Sequence, residues 1–139
     1  MEREQAWALL DRARVAILAT LRSDGSPRLV PCVHAVHGST VYIPVDGKPK
    51  RTRSLARLSD IRRDPRVGLL AHEWSEDWAH LWWVRLDGRA GLAAGEELTL
   101  ARTRLLERYP QYTDPAELDP VIAIAVTAWH AWRAAEPAR

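Results

Sequence analysis

Apolar positions near the N-terminus recur at helical spacing, with Ala6, Trp7, Leu10 and Ala13 near one face, and predict a short amphipathic helix over residues 2–13. Residues 15–21 form a continuous apolar run too short for a helix, and it stops at Ser23-Asp24-Gly25-Ser26-Pro27. Asp-Gly followed by Pro is turn chemistry, so the run reads as a buried strand entering a hairpin. Residues 28–36 form the return strand. Pro31 removes one ladder donor there, which places the strand at an edge or makes it irregular. His37-Gly38-Ser39 supplies the next turn, and residues 40–44 a further strand.

The second half begins with Leu55, Leu58 and Ile61 at helical spacing, a helix over 54–63 with Thr52 or Ser54 as N-cap and Pro65 beyond its end. Residues 66–71 read as a strand and 72–79 as a loop carrying Trp74 and Trp78. Residues 81–92 form a strand that contains Trp82-Trp83 and bends near Asp87-Gly88. Residues 96–108 are a helix whose buried stripe is Leu98, Ala101, Leu105 and Leu106. Residues 109–120 contain Pro110, Pro115 and Pro120 and form a loop; 121–132 is a last strand, apolar on both faces. About six strands and three helices, with hairpins dominant, predict a mainly β protein, an antiparallel barrel with peripheral helices. There is no internal repeat, and residues 1–139 are expected to be one domain. Neither GxGxxG nor a Walker motif occurs to favour a nucleotide-binding parallel sheet.

Composition narrows the class. Hydrophobic residues make up 47% of the chain, which excludes global disorder. The absence of Phe and Asn and the excess of Arg over Lys look like GC-rich codon usage, expected of a bacterial source. The N-terminus lacks an apolar signal core, and no stretch approaches the roughly 20 apolar residues of a membrane span. Cys32 is alone, so there is no disulfide framework and no CxxC pair. These features lead to the expectation of a soluble cytoplasmic protein without a membrane partner.

Charge is uneven. The net charge is +2, yet residues 46–66 hold eight Lys/Arg against three Asp. A local basic patch on a mildly acidic body suggests one anionic ligand at one place, whereas nucleic-acid binders are basic over a wider face. Both lysines of the chain, Lys48 and Lys50, fall in Val45-Asp46-Gly47-Lys48-Pro49-Lys50-Arg51. A compact, strongly hydrated ammonium suits a phosphate as a point charge. The helix that follows adds free N–H groups and the positive dipole end near residues 52–55. This loop therefore reads as the anion-binding end of a cofactor site; the bland alternative is a solvated basic helix face.

Other candidates carry less. Trp82 and Trp83 must face opposite sides of their strand; one packs in the core, and the other is left for an interface or a planar ligand. His34 and His37 are not brought to one face by strand spacing, and no HxxxH or HExxH helix occurs, so no metal site is expected. Cys32 reads as a small apolar core residue rather than a nucleophile.

Asp46-Gly47-Lys48-Pro49-Lys50-Arg51, Asp60-Ile61-Arg62-Arg63-Asp64-Pro65-Arg66-Val67 and the Asp77 to Arg85 segment with Trp78 and Trp82-Trp83, in this element order, resemble the pyridoxamine 5′-phosphate oxidase-like family. This is the split β-barrel group of flavin and deazaflavin proteins, and the motifs are most similar to its probable coenzyme F420-dependent branch. The resemblance spans residues 2–132. It implies a homodimer with two cofactor sites at the subunit interface. By that resemblance, the backbone of Pro31, Cys32, Val33 and His34 would line the ring system. Pro44, Val45, Lys48, Lys50 and Arg51 would hold the ribityl and phosphate, and the region of Trp78 and Trp83 would close the site from the partner chain. Val30 and Ala35 stand where flavin oxidases carry a basic side chain at either end of the second strand, which counts against tight FMN binding.

FMN carries one phosphate monoester; F420 carries a phosphodiester and an oligoglutamate tail. Arg53, Arg57, Arg62 and Arg63 extend the positive surface along the helix after the loop, which suits the longer anion. The expected function is an F420-dependent oxidoreductase transferring hydride between cofactor and a small organic substrate. The alternatives are an FMN-dependent enzyme of the same fold, a non-catalytic F420-binding protein, and an anion- or nucleic-acid-interacting barrel. Tyr42, Tyr109, Tyr112 and water all remain open as proton donors.

Overall fold

The computed structural model describes residues 1–45 and 51–135, apart from the side chains of residues 51–55. The elements in chain order are α1 (Arg3–Arg12), β1 (Ala16–Leu21), β2 (Pro27–Cys32), β3 (Ala35–His37), β4 (Thr40–Pro44), α2 (Arg51–Arg63), β5 (Arg66–Glu73), β6 (Trp82–Leu92), α3 (Glu96–Arg108) and β7 (Val121–Arg133). Short 3-10 turns occur at Trp78–His80 and Pro115–Glu117. Among the described residues, no helix is long and apolar enough to cross a membrane.

The seven strands form one antiparallel sheet in the order β2-β1-β5-β6-β7-β4-β3. β2 and β3 follow each other in the chain yet occupy opposite edges. Laid flat, six strand spacings would separate those edges by roughly 29 Å. The chain from Cys32 to Ala35 can span only about 11 Å. The sheet must therefore curl until its edges approach, and this produces the split barrel. Val33 and His34 are the residues that cross the split. The single strand expected over 28–36 is accordingly two strands, and the count is seven instead of about six.

Other corrections are local. α2 begins at Arg51, so Thr52 and Ser54 lie inside it and neither is its N-cap; no breaker stands between Arg51 and Ser54 to delay the start. β5 continues through His72 and Glu73, which pair with Trp83 and Trp82. α1 starts with a capping box in which the Glu2 N–H donates to the Gln5 side chain at 3.0 Å.

Inward residues alternate with outward ones along β1, β5 and β6. Leu18, Ile43, Val84, Leu86, Ile122 and Ile124 fill the curl, and α1 and α2 add Leu9, Leu10, Leu58 and Ile61 to the same core. A second cluster packs Ala101 and Leu105 of α3 against Ala35, Tyr42, Leu118 and Val121. On the outer face the register sets Pro31, Ile17, Leu70, Arg85 and His130 in one row across β2, β1, β5, β6 and β7. A bulge shifts the β6–β7 register between Asp87 and Gly88, which is where the sequence predicted a bend.

Candidate cofactor site

Pro31 lies on the exposed outer face near the end of β2, while Cys32, the last residue of the strand, turns inward against the core. Burial pushes the Cys32 thiol up to about 12, and the Arg57 guanidinium on α2 opposes that shift. The helix that follows the lysine loop packs on β1 and β6. The remaining arginines of α2 divide. Arg63 is drawn to Asp60 at 3.0 Å, and Arg62 is exposed.

Asp60 holds this arrangement. Its carboxylate is 1% exposed and accepts from Thr20 Oγ1 of β1 at 2.8 Å and from Arg28 Nε of β2 at 2.7 Å. Burial alone would raise its pKa, but the bonds from Arg28 and Thr20 outweigh it and hold the carboxyl below the usual range. Asp60 is the one acidic residue in Arg51–Arg63, and that isolation within an arginine-rich helix was the signal available in the sequence. With no acid in the first turn of α2, its N-terminal dipole faces no internal counter-charge.

His34 is fully buried, and its Nε2 lies 2.8 Å from the Leu10 carbonyl. Burial lowers its pKa, so the ring is neutral; only a protonated Nε2 can bond a carbonyl, which leaves Nδ1 bare. Nδ1 has no hydrogen-bond partner among the described residues. The His34 N–H donates to the Tyr109 hydroxyl at 3.2 Å, and its carbonyl accepts from Arg108 Nε at 3.0 Å. The His34 ring thus ties the strand crossing to α1, and its backbone ties it to Arg108 and Tyr109 at the end of α3.

At the end of β4, Pro44 is buried opposite Val121, and the Val45 N–H donates to the Pro120 carbonyl at 2.9 Å. Lys48 and Lys50 lie outside the described residues, and of Arg51 only the backbone is described, as the first residue of α2. Among the candidate proton donors, Tyr42 is buried and donates to Glu97 Oε2 at 3.3 Å, towards α3. The Tyr109 hydroxyl is committed to the carbonyls of Arg14 and His34, at 3.0 and 3.1 Å. The ring of Tyr112 packs edge-on against Tyr109.

Trp82 and Trp83 do face opposite sides: Trp82 is buried, and Trp83 opens onto the outer face directly across from Trp132. With Leu70, Trp74 and Arg85 they line a groove of about 480 Å³. Trp78 is exposed beside it, its ring 6.3 Å from that of Trp74. Trp132 was missed from sequence because 121–132 read as apolar on both faces; this holds at Val121 and Ile122, whereas from Ala125 on the strand has one face open, where Trp132 stands. No group of three or more His, Cys, Asp or Glu among the described residues could hold a metal ion.

The structure is similar to a conserved hypothetical protein of Mycobacterium tuberculosis, at TM-score 0.75 and 23% identity over 96% of this chain and 86% of that one. It is similar to an FAD-binding protein of Mesorhizobium loti, at TM-score 0.70 and 19% identity over 94% of each chain. It is also similar to the heme storage protein of Vibrio cholerae, at TM-score 0.70 and 12% identity over 92% of each chain. These identities establish a common fold and no more. No curated protein matches the sequence significantly. The profile described as pyridoxamine 5′-phosphate oxidase matches residues 3–133, so with its curled seven-stranded sheet the chain belongs to the pyridoxamine 5′-phosphate oxidase family.

Proposed function

We propose that this protein binds coenzyme F420, with FMN as the alternative cofactor, and is an oxidoreductase passing hydride between that cofactor and a small organic substrate. The observation that carries this reading is the placement of α2. Asp60 pins the helix to β1 and β2, and its first turn carries no acid. A helix N-terminus fed by the loop of Lys48 and Lys50 fits an anionic cofactor tail. A flavin or deazaflavin, when bound, supplies the two-electron chemistry. This chain's residues would position it: Lys48, Lys50, Arg51 and Arg57 at the anionic end, the backbone of Pro31, Cys32, Val33 and His34 beside the ring, and Pro44 and Val45 between them. Arg57, Arg62 and the start of α2 offer more positive charge than one phosphate monoester needs, which favours the deazaflavin.

A second copy of the chain would complete the site, with the region of Trp78 and Trp83 closing it. Leu29 is 67% exposed and, beside Ala19 and Gly68 on neighbouring strands, makes a flat patch suited to such a contact. Titration of the protein with oxidised F420 and, in parallel, FMN tests the reading, with sedimentation of the complex for the dimer. Tight F420 binding that weakens in Lys50→Ala is expected. FMN preference would move the protein to the flavin enzymes, and binding of neither would remove the cofactor role.

A further inference from the structure

The outer-face groove has a chemistry of its own. Trp83 and Trp132 are directly opposed across β6 and β7, and both side chains line the groove. Leu70 lies on the neighbouring strand and Trp74 flanks the groove from the segment after β5. A volume of about 480 Å³ suits a small organic molecule. Trp132 is 44% exposed and Trp74 66%, so two large π faces are left to water.

One cation stands over this apolar surface. The Arg85 guanidinium lies 5.5 Å from the centre of the Trp83 ring. Among the described residues it makes no ion pair and no hydrogen bond, although Asp87 follows it on the same face. The groove's own acid is already committed: Glu73 accepts from Arg12 at 3.0 Å and from Trp82 Nε1 at 2.7 Å. The groove therefore offers stacking surfaces and one uncompensated guanidinium, whose planar fork matches a carboxylate bidentately.

We propose that this groove binds a planar aromatic or conjugated carboxylate, its ring system against Trp83 and Trp132 and its carboxylate on Arg85. That such an acid is the substrate rests on the cofactor reading above; that it binds does not.

The test is calorimetric titration of the cofactor-free protein with 2-naphthoate and with its neutral isostere 2-naphthamide. Naphthoate is expected to bind at least about tenfold more tightly than the amide, as a charge-assisted bidentate pair would require. Arg85→Met should erase that preference while keeping amide binding, and Trp132→Ala should weaken both ligands. Arg85→Lys, which keeps the charge and loses the fork, supplies an intermediate preference should the methionine variant fail to fold. Equal binding of acid and amide to the wild type would overturn the proposal, and so would binding untouched by Trp132→Ala. Naphthoate affinity that falls as protein concentration rises would mean a second copy covers the groove, and would also overturn it. Displacement of naphthoate by F420 or FMN would assign the groove to the cofactor ring instead. Failure of the cofactor reading would appear separately, as no binding of F420 or FMN in the absence of naphthoate.

Discussion

Asp60 on α2 and Arg28 on β2 meet at 2.7 Å with the carboxylate almost wholly buried. Thr20 and Arg63 complete the set around the same group. The contact joins the helix after the lysine loop to the strand that ends in Pro31 and Cys32. It couples the two halves of the proposed cofactor site through one side chain.

Removing that side chain leaves Arg28 and Thr20 without their acceptor. Asp60→Ala is expected to lower stability by about 3 kcal/mol, with a fall in Tm of roughly 10 °C. Thermal unfolding followed by circular dichroism measures it. A change within error would mean that solvent replaces the contact at no cost.

Stability should fall on acidification. The neutral His34 is favoured in the fold, with its pKa lowered from 6.5 by burial and by nearby Arg108, while the Leu10 carbonyl and Asp11 act in the opposite direction. Asp60 is also lowered, from 3.8. A depressed folded-state pKa contributes stability that is present above the unfolded value and lost as pH falls through the folded one. Urea unfolding from about pH 7.5 to about pH 5 should therefore show a midpoint that declines below 6.5 through His34, the Asp60 contribution being lost only in stronger acid. His34→Gln should flatten the decline in this window, and an equal slope in both proteins would exclude His34 as its source.

The β6–β7 bulge has no room for a side chain at Gly88. A Cβ there would lie 2.6 Å from both the Ala125 carbonyl oxygen and Ile124 Cγ2. Gly88→Ala is expected to cost about 2 kcal/mol, the range of overpacked cores. Gly91, on the same strand, has nothing within 4 Å of that position, so Gly91→Ala should be near neutral. Denaturant midpoints of the two variants check the contrast.

Cys32 should be chemically quiet. With its thiol pushed to about 12, about one molecule in ten thousand is ionised at about pH 8. Reaction with Ellman's reagent should be negligible in the native protein and complete once denaturant exposes the thiol. Rapid native reaction would show that β2 opens readily at its end.

Much of the fold was legible in local pattern. The Asp-Gly turn before Pro27, the alternation along 81–92 and the apolar stripe of 96–108 each dictate an element through short-range sterics and burial. Pro31 correctly announced an edge strand, because a residue without an N–H cannot sit between two partners. The Trp82-Trp83 pair had to divide between core and surface because adjacent strand residues point oppositely.

Which residues share a site is a different kind of information. Nothing in the order of the chain places Leu70, Trp83 and Trp132 in one groove; that follows from β5, β6 and β7 pairing in a particular register. Asp60 looked like one charge in a basic helix, and only packing on β1 and β2 turned it into a buried anchor. The His34 ring is held inside by the Leu10 carbonyl of α1, and its backbone by Arg108 of α3, groups far away in sequence. Short-range sterics and periodicity are written in neighbouring residues, so the sequence by itself determined the elements and the basic loop. Burial and charge pairing depend on residues that meet only when the sheet curls, so the tertiary structure alone decided the groove, the anchor and the fate of the histidine.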